Sequence, residues 1–282
     1  MDFDPNAYRE QSLAIWGKMA PAWRARNEWM IDHSGLVNDW IVGRADPRPG
    51  NTVLDIAAGP GDLGFRVAER VGGSGRVISA DFAPEMVDVA RRLGQARGLG
   101  NVDYMVLDAE RMSLESDSVD AVVCRWGYML MADSALALRE TRRVLREGGP
   151  LAFAVWAPPA RNPWAAVPAK ILVQQGRMPA PQPGGPGMFA MGDPDRVREL
   201  VEGAGFGVVE LEEIAFQFRY PDSDDLWDFL IRMAGPIAGA VEELSPEEQV
   251  AARAAVMESM APYREEDGSY TAPALSLGVL VR

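Results

Sequence analysis

The chain has 282 residues, of which 48% are hydrophobic, and it carries a formal net charge of −13. This length and apolar content suit one enlarged domain or a domain with a cap. Nucleic-acid-binding proteins usually carry a basic surface that neutralises phosphates, and the sequence shows none, so DNA and RNA are not expected as partners. The sequence has one cysteine, Cys124, and one histidine, His33. This scarcity argues against a disulfide framework and against a metal site, and we expect no metal.

The N-terminal segment MDFDPNAYRE is polar and acidic, unlike a signal peptide. No apolar run reaches the roughly 18 to 20 residues that a membrane-spanning helix needs, so we expect a cytoplasmic protein. Apolar residues at near-helical spacing, Trp16 and Trp23 among them, predict helices over residues 6–44. These two tryptophans lie on one helical face and favour core packing. The segment ADPRPG at residues 45–50 ends the pattern.

Short apolar strands alternate with helices from residue 51 onward. The predicted strands contain the segments TVLDIA, RVISAD, VDYMVLD, VDAVVC and PLAFAVW. Such alternation predicts a parallel sheet built of βαβ units. Ligand-binding side chains are therefore expected at the carboxyl ends of the strands.

A proline-rich segment at residues 157–192 interrupts this alternation, and its length and aromatic residues favour a lid. Asp193 and Pro194 then form a good helix start. The segment FGVVELEEIAFQFRY predicts a strand or two, and DLWDFLIRMA predicts a helix. A capping box at residues 245–248 opens a further helix, and ALSLGVLV ends the chain as a strand.

The segment GPGDLG at residues 59–64 has the GxGxxG spacing of a dinucleotide-binding turn. Asp55 ends the preceding strand and Asp62 begins the following helix, where each would repel a pyrophosphate by on the order of a few kcal/mol. S-adenosylmethionine has an ammonium, a sulfonium and no phosphate, so the same acids would attract it. Asp81, at the end of the next strand, could accept hydrogen bonds from the ribose of either cofactor and does not discriminate between them.

Five segments in order resemble class I S-adenosylmethionine-dependent methyltransferases, and the ubiquinone/menaquinone C-methyltransferases in particular: VLDIAAGPGD, VISADFAPEMVDVAR, VLDAERMSL, SVDAVVCRWGYMLMAD and RVLREGG. The resemblance covers residues 50–156 strongly and the flanking regions more loosely. It implies an α/β Rossmann-like fold with a seven-stranded, mostly parallel sheet whose last strand is antiparallel. Ala57 replaces a family glycine and Glu147 a family proline, and neither change conflicts with cofactor binding.

The resemblance also implies four regions. They are an N-terminal helical lid at residues 1–49, a cofactor-binding core at 50–156, a lid or connection at 157–192, and the C-terminal half of the sheet at 193–282. Cap helices are expected within the last region, at about residues 221–265.

Residues that match the family's cofactor-binding motifs follow the first four strands. They are Asp55, Ala57, Gly59 and Gly61 around the methionine portion, Asp81, Phe82 and Met86 around the ribose and adenine, Asp108, Ala109 and Glu110 near the adenine amino group, and Arg125 beside the methionine moiety. Residues expected at the substrate pocket follow the fourth and fifth strands. They are Trp126, Tyr128, Trp156, Asn162 and Trp164, with ordinary packing as the alternative.

The implied reaction is in-line methyl transfer from S-adenosylmethionine to an apolar or aromatic small molecule, as O- or C-methylation, in which positioning supplies much of the rate. Candidates for a catalytic base are His33 and Tyr128. Two other functions stay open: a non-catalytic S-adenosylmethionine- or ligand-binding protein, and an NAD-dependent oxidoreductase, which Asp55 disfavours. The sequence leaves open the methyl acceptor and the choice between a monomer and a homodimer.

Overall fold

The computed structural model describes residues 3–182, 184–207 and 209–282. Pro183, in the predicted proline-rich lid, and Val208, in a predicted strand, lie outside the described residues, as do the first two residues of the chain. The described helices are α1 (Pro5–Ala25), α2 (Asn27–Ala45), α3 (Asp62–Val71), α4 (Pro84–Ala96), α5 (Ser134–Val144), α6 (Pro163–Gln174), α7 (Pro194–Gly203), α8 (Ser223–Met233), α9 (Gly235–Glu242) and α10 (Pro246–Met260). The described strands are β1 (Thr52–Ile56), β2 (Arg76–Asp81), β3 (Val102–Val106), β4 (Ala121–Arg125), β5 (Leu151–Trp156), β6 (Val209–Tyr220) and β7 (Tyr270–Val281).

Within the described residues, seven strands form one sheet in the order β3-β2-β1-β4-β5-β7-β6. Strands β1 to β5 pair in parallel, and β7 pairs antiparallel with β5, with Leu151 opposite Val281 and Trp156 opposite Ser276. The predicted sheet, mostly parallel with an antiparallel last strand, is confirmed. Its strand order reverses direction between β1 and β4, which is where parallel sheets of this kind bind ligands.

The central strands are buried on both faces. Strands β4 and β5 are apolar and buried over nearly their whole length, and α2 packs against both of them. Helix α3 packs against β1 and β2. Because helices cover the sheet, the sequences of these strands are continuous apolar runs and do not alternate between apolar and polar residues. Polar side chains are therefore conspicuous where they occur in these strands, as Asp55 does in β1.

The chain divides into two compact units. The first comprises Met1–Ala157, Gly184–Ile214 and Ser276–Arg282, and the second comprises Pro158–Pro183 and Ala215–Leu275. The N-terminal helices thus lie in the same unit as β1 to β5. The segment predicted as a lid at residues 157–192 contributes residues to both units.

The continuous helical pattern over residues 6–44 corresponds to two helices. Asp4 caps α1 by accepting hydrogen bonds from the amides of Asn6 and Ala7, and Pro5 occupies the first turn. Arg26 leaves the helical conformation, with φ −101° and ψ 17°, and separates α1 from α2. Helix α1 packs on α4, whereas α2 packs on the sheet.

Helices form most of the second unit. Helix α6 begins with Pro163 in its first turn, contains Pro168, and packs against α10. The capping box predicted for α10 is present, since Ser245 and Glu248 exchange side-chain and backbone hydrogen bonds. No helix in the described part of the chain combines the length and apolar character needed to cross a membrane.

Candidate functional site

The glycine turn after β1 has left-handed backbone at three positions. Ala57 has φ 53°, Gly59 has φ 53° and Gly61 has φ 91°. A Cβ atom added at Gly59 would meet no atom within 4 Å, whereas one at Gly61 would lie 2.7 Å from the Phe65 ring. Gly61 is therefore required for packing and conformation, and Gly59 leaves room for a ligand to approach the backbone. Ala57 tolerates a conformation that costs about 1–2 kcal/mol for a residue other than glycine.

Asp55 lies at the carboxyl end of β1 with 1% of its surface exposed. Neither carboxylate oxygen has a hydrogen-bond partner within the described residues. A Cβ at Gly64 would lie 2.8 Å from Oδ2, so the first turn of α3 packs directly on this carboxyl. Burial, and then the charge of Asp62, raise the pKa of Asp55 well above its ordinary value, and the positive charge of Arg125 offsets only part of the rise. A buried carboxylate without a partner is costly, which makes this position a candidate for ligand binding.

Asp62, the first residue of α3, forms a buried ion pair with Arg125 at the end of β4. Nη1 lies 2.5 Å from Oδ2 and Nη2 lies 2.9 Å from Oδ1. Burial alone would raise the pKa of Asp62, but the Arg125 guanidinium and the hydrogen bonds from Arg125 and Asn38 hold that pKa below its ordinary value. Asp62 is thus stabilised in its ionised form. The structure shows Arg125 bound to the carboxylate of Asp62, and its predicted place beside the methionine moiety stays a prediction.

Two residues of α2 complete this network. Arg125 Nη1 donates to Ser34 Oγ and to Asn38 Oδ1, each at 2.8 Å. Asn38 Nδ2 donates to Asp62 Oδ2 at 3.0 Å. Neither residue was predicted from the sequence, although polar side chains among the apolar residues of this helix were a usable signal.

Asp81 links β2 to the glycine turn. Its Oδ2 accepts a hydrogen bond from the Gly59 amide at 2.8 Å, and its Oδ1 accepts one from the Ala83 amide at 2.9 Å. Burial raises the pKa of Asp81, and the backbone N–H groups of Ala83, Gly59 and Phe82 offset part of the rise. Each oxygen keeps a further lone pair, so Asp81 can fix the turn and still accept from ribose hydroxyls.

Phe82 and Met86 follow β2. Phe82 is partly exposed beside the Asp81 carboxylate, and Met86 is buried in the first turn of α4. The structure therefore leaves part of the Phe82 surface accessible to a ligand and holds Met86 in the core. Their predicted place beside the adenine stays a prediction.

The loop after β3 is held by the N-terminal helix. Asp108 Oδ1 accepts from the Glu110 amide at 2.9 Å, and buried Glu110 forms an ion pair with Arg9 of α1. Tyr8 donates its hydroxyl to the Leu130 carbonyl at 2.9 Å. Burial and the charge of Glu110 raise the pKa of Tyr8 to about 12. Helix α1 is thus anchored to the loops that follow β3 and β4, at the edge of the sheet where the parallel strands end.

Within this loop Ala109 is buried, as is Glu110, whereas Asp108 is partly exposed. Since Arg9 already engages the Glu110 carboxylate, Asp108 is the acid of this loop better placed to accept from a ligand. That role stays a prediction.

Two tryptophans stack at the ends of β4 and β5. The Trp126 and Trp156 rings lie 4.2 Å apart, centroid to centroid, at an interplanar angle of 17°. Trp126 adopts left-handed backbone with φ 59°, and its Nε1 donates to Ser276 Oγ at 2.9 Å. The Arg125 guanidinium lies 5.0 Å from the Trp126 ring. Strained backbone in a bulky residue is typical of functional sites, which is compatible with the predicted substrate contact.

Tyr128 does not fit a catalytic role in this conformation. Its side chain is 0% exposed, its hydroxyl lies 2.7 Å from Thr141 Oγ1, and its ring packs edge-on against Phe153. Burial raises the pKa of Tyr128 well above its ordinary value. The geometry corrects the catalytic and substrate-contact predictions to core packing: the residue folds beneath α5.

Asn162 and Trp164, in the second unit, serve packing rather than ligand contact. The Asn162 side chain donates to the Leu275 carbonyl at 3.0 Å and accepts from the Leu275 amide at 2.9 Å. Trp164 packs edge-on against Phe218 and Phe229. Both side chains are buried, and the predicted substrate contacts are not supported.

His33 lies on α2, partly buried and stacked on the Trp29 ring at 4.0 Å. Its Nδ1 lies 2.7 Å from the Trp29 carbonyl, which can only accept, so Nδ1 carries the proton. Trp16 and Trp23 of α1 contact each other at 6.1 Å and are partly buried.

The family model of the ubiE/COQ5 methyltransferase family matches residues 30–218. The ubiquinone/menaquinone biosynthesis C-methyltransferase UbiE of Hydrogenovibrio crunogenus is 44% identical over 105 residues, which are 37% of this chain and 41% of its own length. Aklanonic acid methyltransferase DauC of a Streptomyces species is 37% identical over 113 residues, 40% of this chain and 51% of its own. The chain thus spans about half the length of the curated relatives that it matches.

Among solved structures, the [4+2]-cyclase SpnF superposes with a TM-score of 0.54 at 18% identity, covering 87% of this chain and 79% of the cyclase. That similarity shows the fold alone, and it shows that the fold hosts more than one chemistry. The family assignment therefore rests on the sequence match, which spans more than half of the residues. The chain belongs to the ubiE/COQ5 methyltransferase family.

Proposed function

We propose that the chain is an S-adenosylmethionine-dependent methyltransferase that acts on an apolar or aromatic small molecule. The observation that carries the proposal is the Asp55 carboxylate, buried at the glycine turn without a hydrogen-bond partner in the described residues. A cationic ligand compensates such a group and a pyrophosphate does not. Membership of the family supports the same ligand.

The residues around the turn fit this cofactor. Gly59 leaves its backbone open, and Asp81 lies beside it with lone pairs for the ribose hydroxyls. Asp55 would balance the positive charge of the methionine portion, and Asp108 and Phe82 would face the adenine. Bound there, S-adenosylmethionine supplies an electrophilic methyl group on a good leaving group.

The chain's own contribution is binding, orientation and exclusion of water. Arg9 and Tyr8 hold α1 to the loops after β3 and β4, which restricts water at the edge where the cofactor would lie. The stacked Trp126 and Trp156, which are buried at the ends of β4 and β5, would form a rigid apolar wall beside the acceptor. Alignment of donor and acceptor in a dry site can supply about 7–11 kcal/mol of the barrier reduction.

We propose no dedicated general base. The buried Tyr128 hydroxyl is held by Thr141, and the candidate His33 is stacked on Trp29. An acceptor that is already acidic or nucleophilic, such as a phenol or an activated ring carbon, needs little help from a base, because the proton it loses can pass to solvent water. The names of the relatives, which refer to ubiquinone, menaquinone and aklanonic acid, support an acceptor of this kind.

The test is transfer of radiolabelled methyl from S-adenosylmethionine to a panel of hydroquinones, phenols and polycyclic acids, with product extracted into organic solvent. Asp81→Ala serves as the site-directed control. Labelled product formed by the wild-type protein and lost in the variant supports the proposal. Tight S-adenosylhomocysteine binding with no transfer to any member of a broad panel would favour a non-catalytic binding protein. The cytoplasmic location, the homodimer and the lid at residues 157–192 stay predictions.

A further inference from the structure

Helix α2 carries the polar side chains of Ser34 and Asn38 on a buried, mainly apolar face. Ser34 and Asn38 are both 0% exposed, and the same face contains Met30, Val37 and Ile41. They are four residues apart, so they lie one above the other on the helix. Polar groups in such a position cost free energy unless they are hydrogen-bonded, and here they are bonded to the residues of the glycine turn.

The contacts give Asn38 a fixed orientation. Its Oδ1 accepts from Arg125 at 2.8 Å, and its Nδ2 donates to Asp62 at 3.0 Å. A rotated amide would point its NH₂ group at the guanidinium and its oxygen at the carboxylate, and would lose both bonds. Ser34 Oγ adds a third acceptor within 2.8 Å of Arg125 Nη1, beside Asn38 and Asp62.

The hydrogen bonds from Ser34 and Asn38 determine which carboxylate the Arg125 guanidinium lies against. Arg125 is the cation that acts on both Asp55 and Asp62. It makes two hydrogen bonds to Asp62, while neither oxygen of Asp55 is bonded in the described structure. The α2 side chains hold the guanidinium on the side of Asp62, because they accept from Nη1 and donate to Asp62 at the same time.

We propose that Ser34 and Asn38 are positioning residues that hold Arg125 against Asp62, so that the Asp55 carboxylate stays available for the ammonium group of the cofactor's amino-acid end. The inference rests on the proposed function and adds to it a role for α2 in recognising one part of the cofactor. Removal of either side chain would allow the guanidinium to move towards Asp55 and compete with that ammonium. Recognition of the adenosine end, which depends on Asp81, would be unaffected.

This role is tested by comparing two ligands in calorimetric titrations. S-adenosylhomocysteine carries the ammonium group, and 5′-methylthioadenosine has the same adenosine and sulfur but no amino-acid end. In Asn38→Leu the affinity for S-adenosylhomocysteine should fall about tenfold, the size expected when hydrogen bonds to charged groups are lost. The affinity for 5′-methylthioadenosine should stay within about twofold, because its contacts are not altered.

Asn27→Leu is the matched control. Asn27 is also buried on α2, but it accepts a hydrogen bond from Arg97 at 3.3 Å and lies eleven positions from Asn38, about 16 Å along the helix. This substitution should leave the ratio of the two affinities at the wild-type value. Ser34→Ala is a smaller change and should also weaken S-adenosylhomocysteine binding relative to 5′-methylthioadenosine binding. It replaces Asn38→Leu in the test if the leucine variant does not fold.

Three results would overturn the proposal. Equal losses for both ligands in Asn38→Leu and Ser34→Ala would show a merely structural role, and unchanged affinities would show no role. If the wild-type protein bound 5′-methylthioadenosine as tightly as S-adenosylhomocysteine, the ammonium group would not contribute to binding. That result would refute this proposal without refuting the proposed cofactor site. Wild-type protein that binds neither compound would instead refute the proposed function itself.

Discussion

Replacement of Asp55 by asparagine should stabilise the protein at neutral pH while it weakens cofactor binding. The carboxyl is buried without a hydrogen-bond partner in the described residues, and its pKa lies well above the ordinary value of 3.8. The fold therefore favours the protonated acid, and the unfolded chain, in which the group ionises freely, gains relative stability as the pH rises. Asparagine has nearly the same shape and does not ionise.

The magnitude follows from proton linkage. Once the pH exceeds 3.8, the free energy of unfolding of the wild-type protein loses about 1.4 kcal/mol per pH unit relative to Asp55→Asn, until the pH reaches the native pKa of Asp55. Above that pKa the difference becomes constant. The pH at which the two stability curves become parallel therefore reports the native pKa of this carboxyl.

The assay is thermal or urea unfolding followed by tryptophan fluorescence, which eight tryptophans make practicable, at half-unit steps from pH 5 to pH 8. The difference in Tm should grow by roughly 3–6 °C per pH unit over the rising part of the curve. Asp103→Asn is the control, because Asp103 is half-exposed and pairs with Arg76 at the surface, where such pairs contribute little. In the same preparations, Asp55→Asn should bind S-adenosylhomocysteine more weakly.

A constant difference across the whole pH range would refute this reasoning, since it would show that the native pKa of Asp55 lies below the range and is not raised well above its ordinary value. A variant that is less stable than wild type at pH 8 would refute it as well. It would mean that the ionised carboxylate is stabilised in the fold by the nearby Arg125.

Four further substitutions test other parts of the site. Asp81→Ala should lower S-adenosylhomocysteine affinity at least about 100-fold in calorimetry, because two hydrogen bonds to a charged acceptor are lost, and retained affinity would remove Asp81 from the site. Ala57→Gly should raise the free energy of unfolding, measured by urea unfolding, by up to about 1 kcal/mol, because glycine adopts the left-handed backbone without strain. A lower stability of this variant would show that Ala57 is not strained. Tyr128→Phe should cost about 1 kcal/mol of stability and leave kcat nearly unchanged, and a large fall in kcat would restore a catalytic role. His33→Ala should keep most of the methyl transfer measured with saturating cofactor, and near-complete loss without weaker cofactor binding would identify His33 as the base.

The parts of the site that local sequence specifies could be predicted. Asp55 and Asp81 lie at the carboxyl ends of β1 and β2, and Asp108 follows β3. Parallel strands bring their carboxyl ends to one edge, so the strand pattern alone places these acids together. The glycine turn is equally local, because Gly59 and Gly61 adopt left-handed backbone within a few residues of the strand.

The residues that sequence reasoning missed depend on contacts distant along the chain. Ser34 and Asn38 meet Arg125 across 91 and 87 positions, and no local pattern indicates which polar group they would face. Tyr128 was misplaced for a related reason. It follows β4, as a ligand-contacting residue would, but a short turn at residues 128–130 directs its hydroxyl to Thr141 of α5.

Titration of the purified protein with S-adenosylhomocysteine and, separately, with NADH distinguishes the two cofactor classes that a glycine turn of this spacing could bind. The wild-type protein should bind S-adenosylhomocysteine, Asp81→Ala should not, and NADH should produce no heat of binding. Binding of NADH without binding of S-adenosylhomocysteine would contradict the proposed cofactor. It would show that the carboxylates of Asp55 and Asp62 do not exclude a pyrophosphate from the glycine turn.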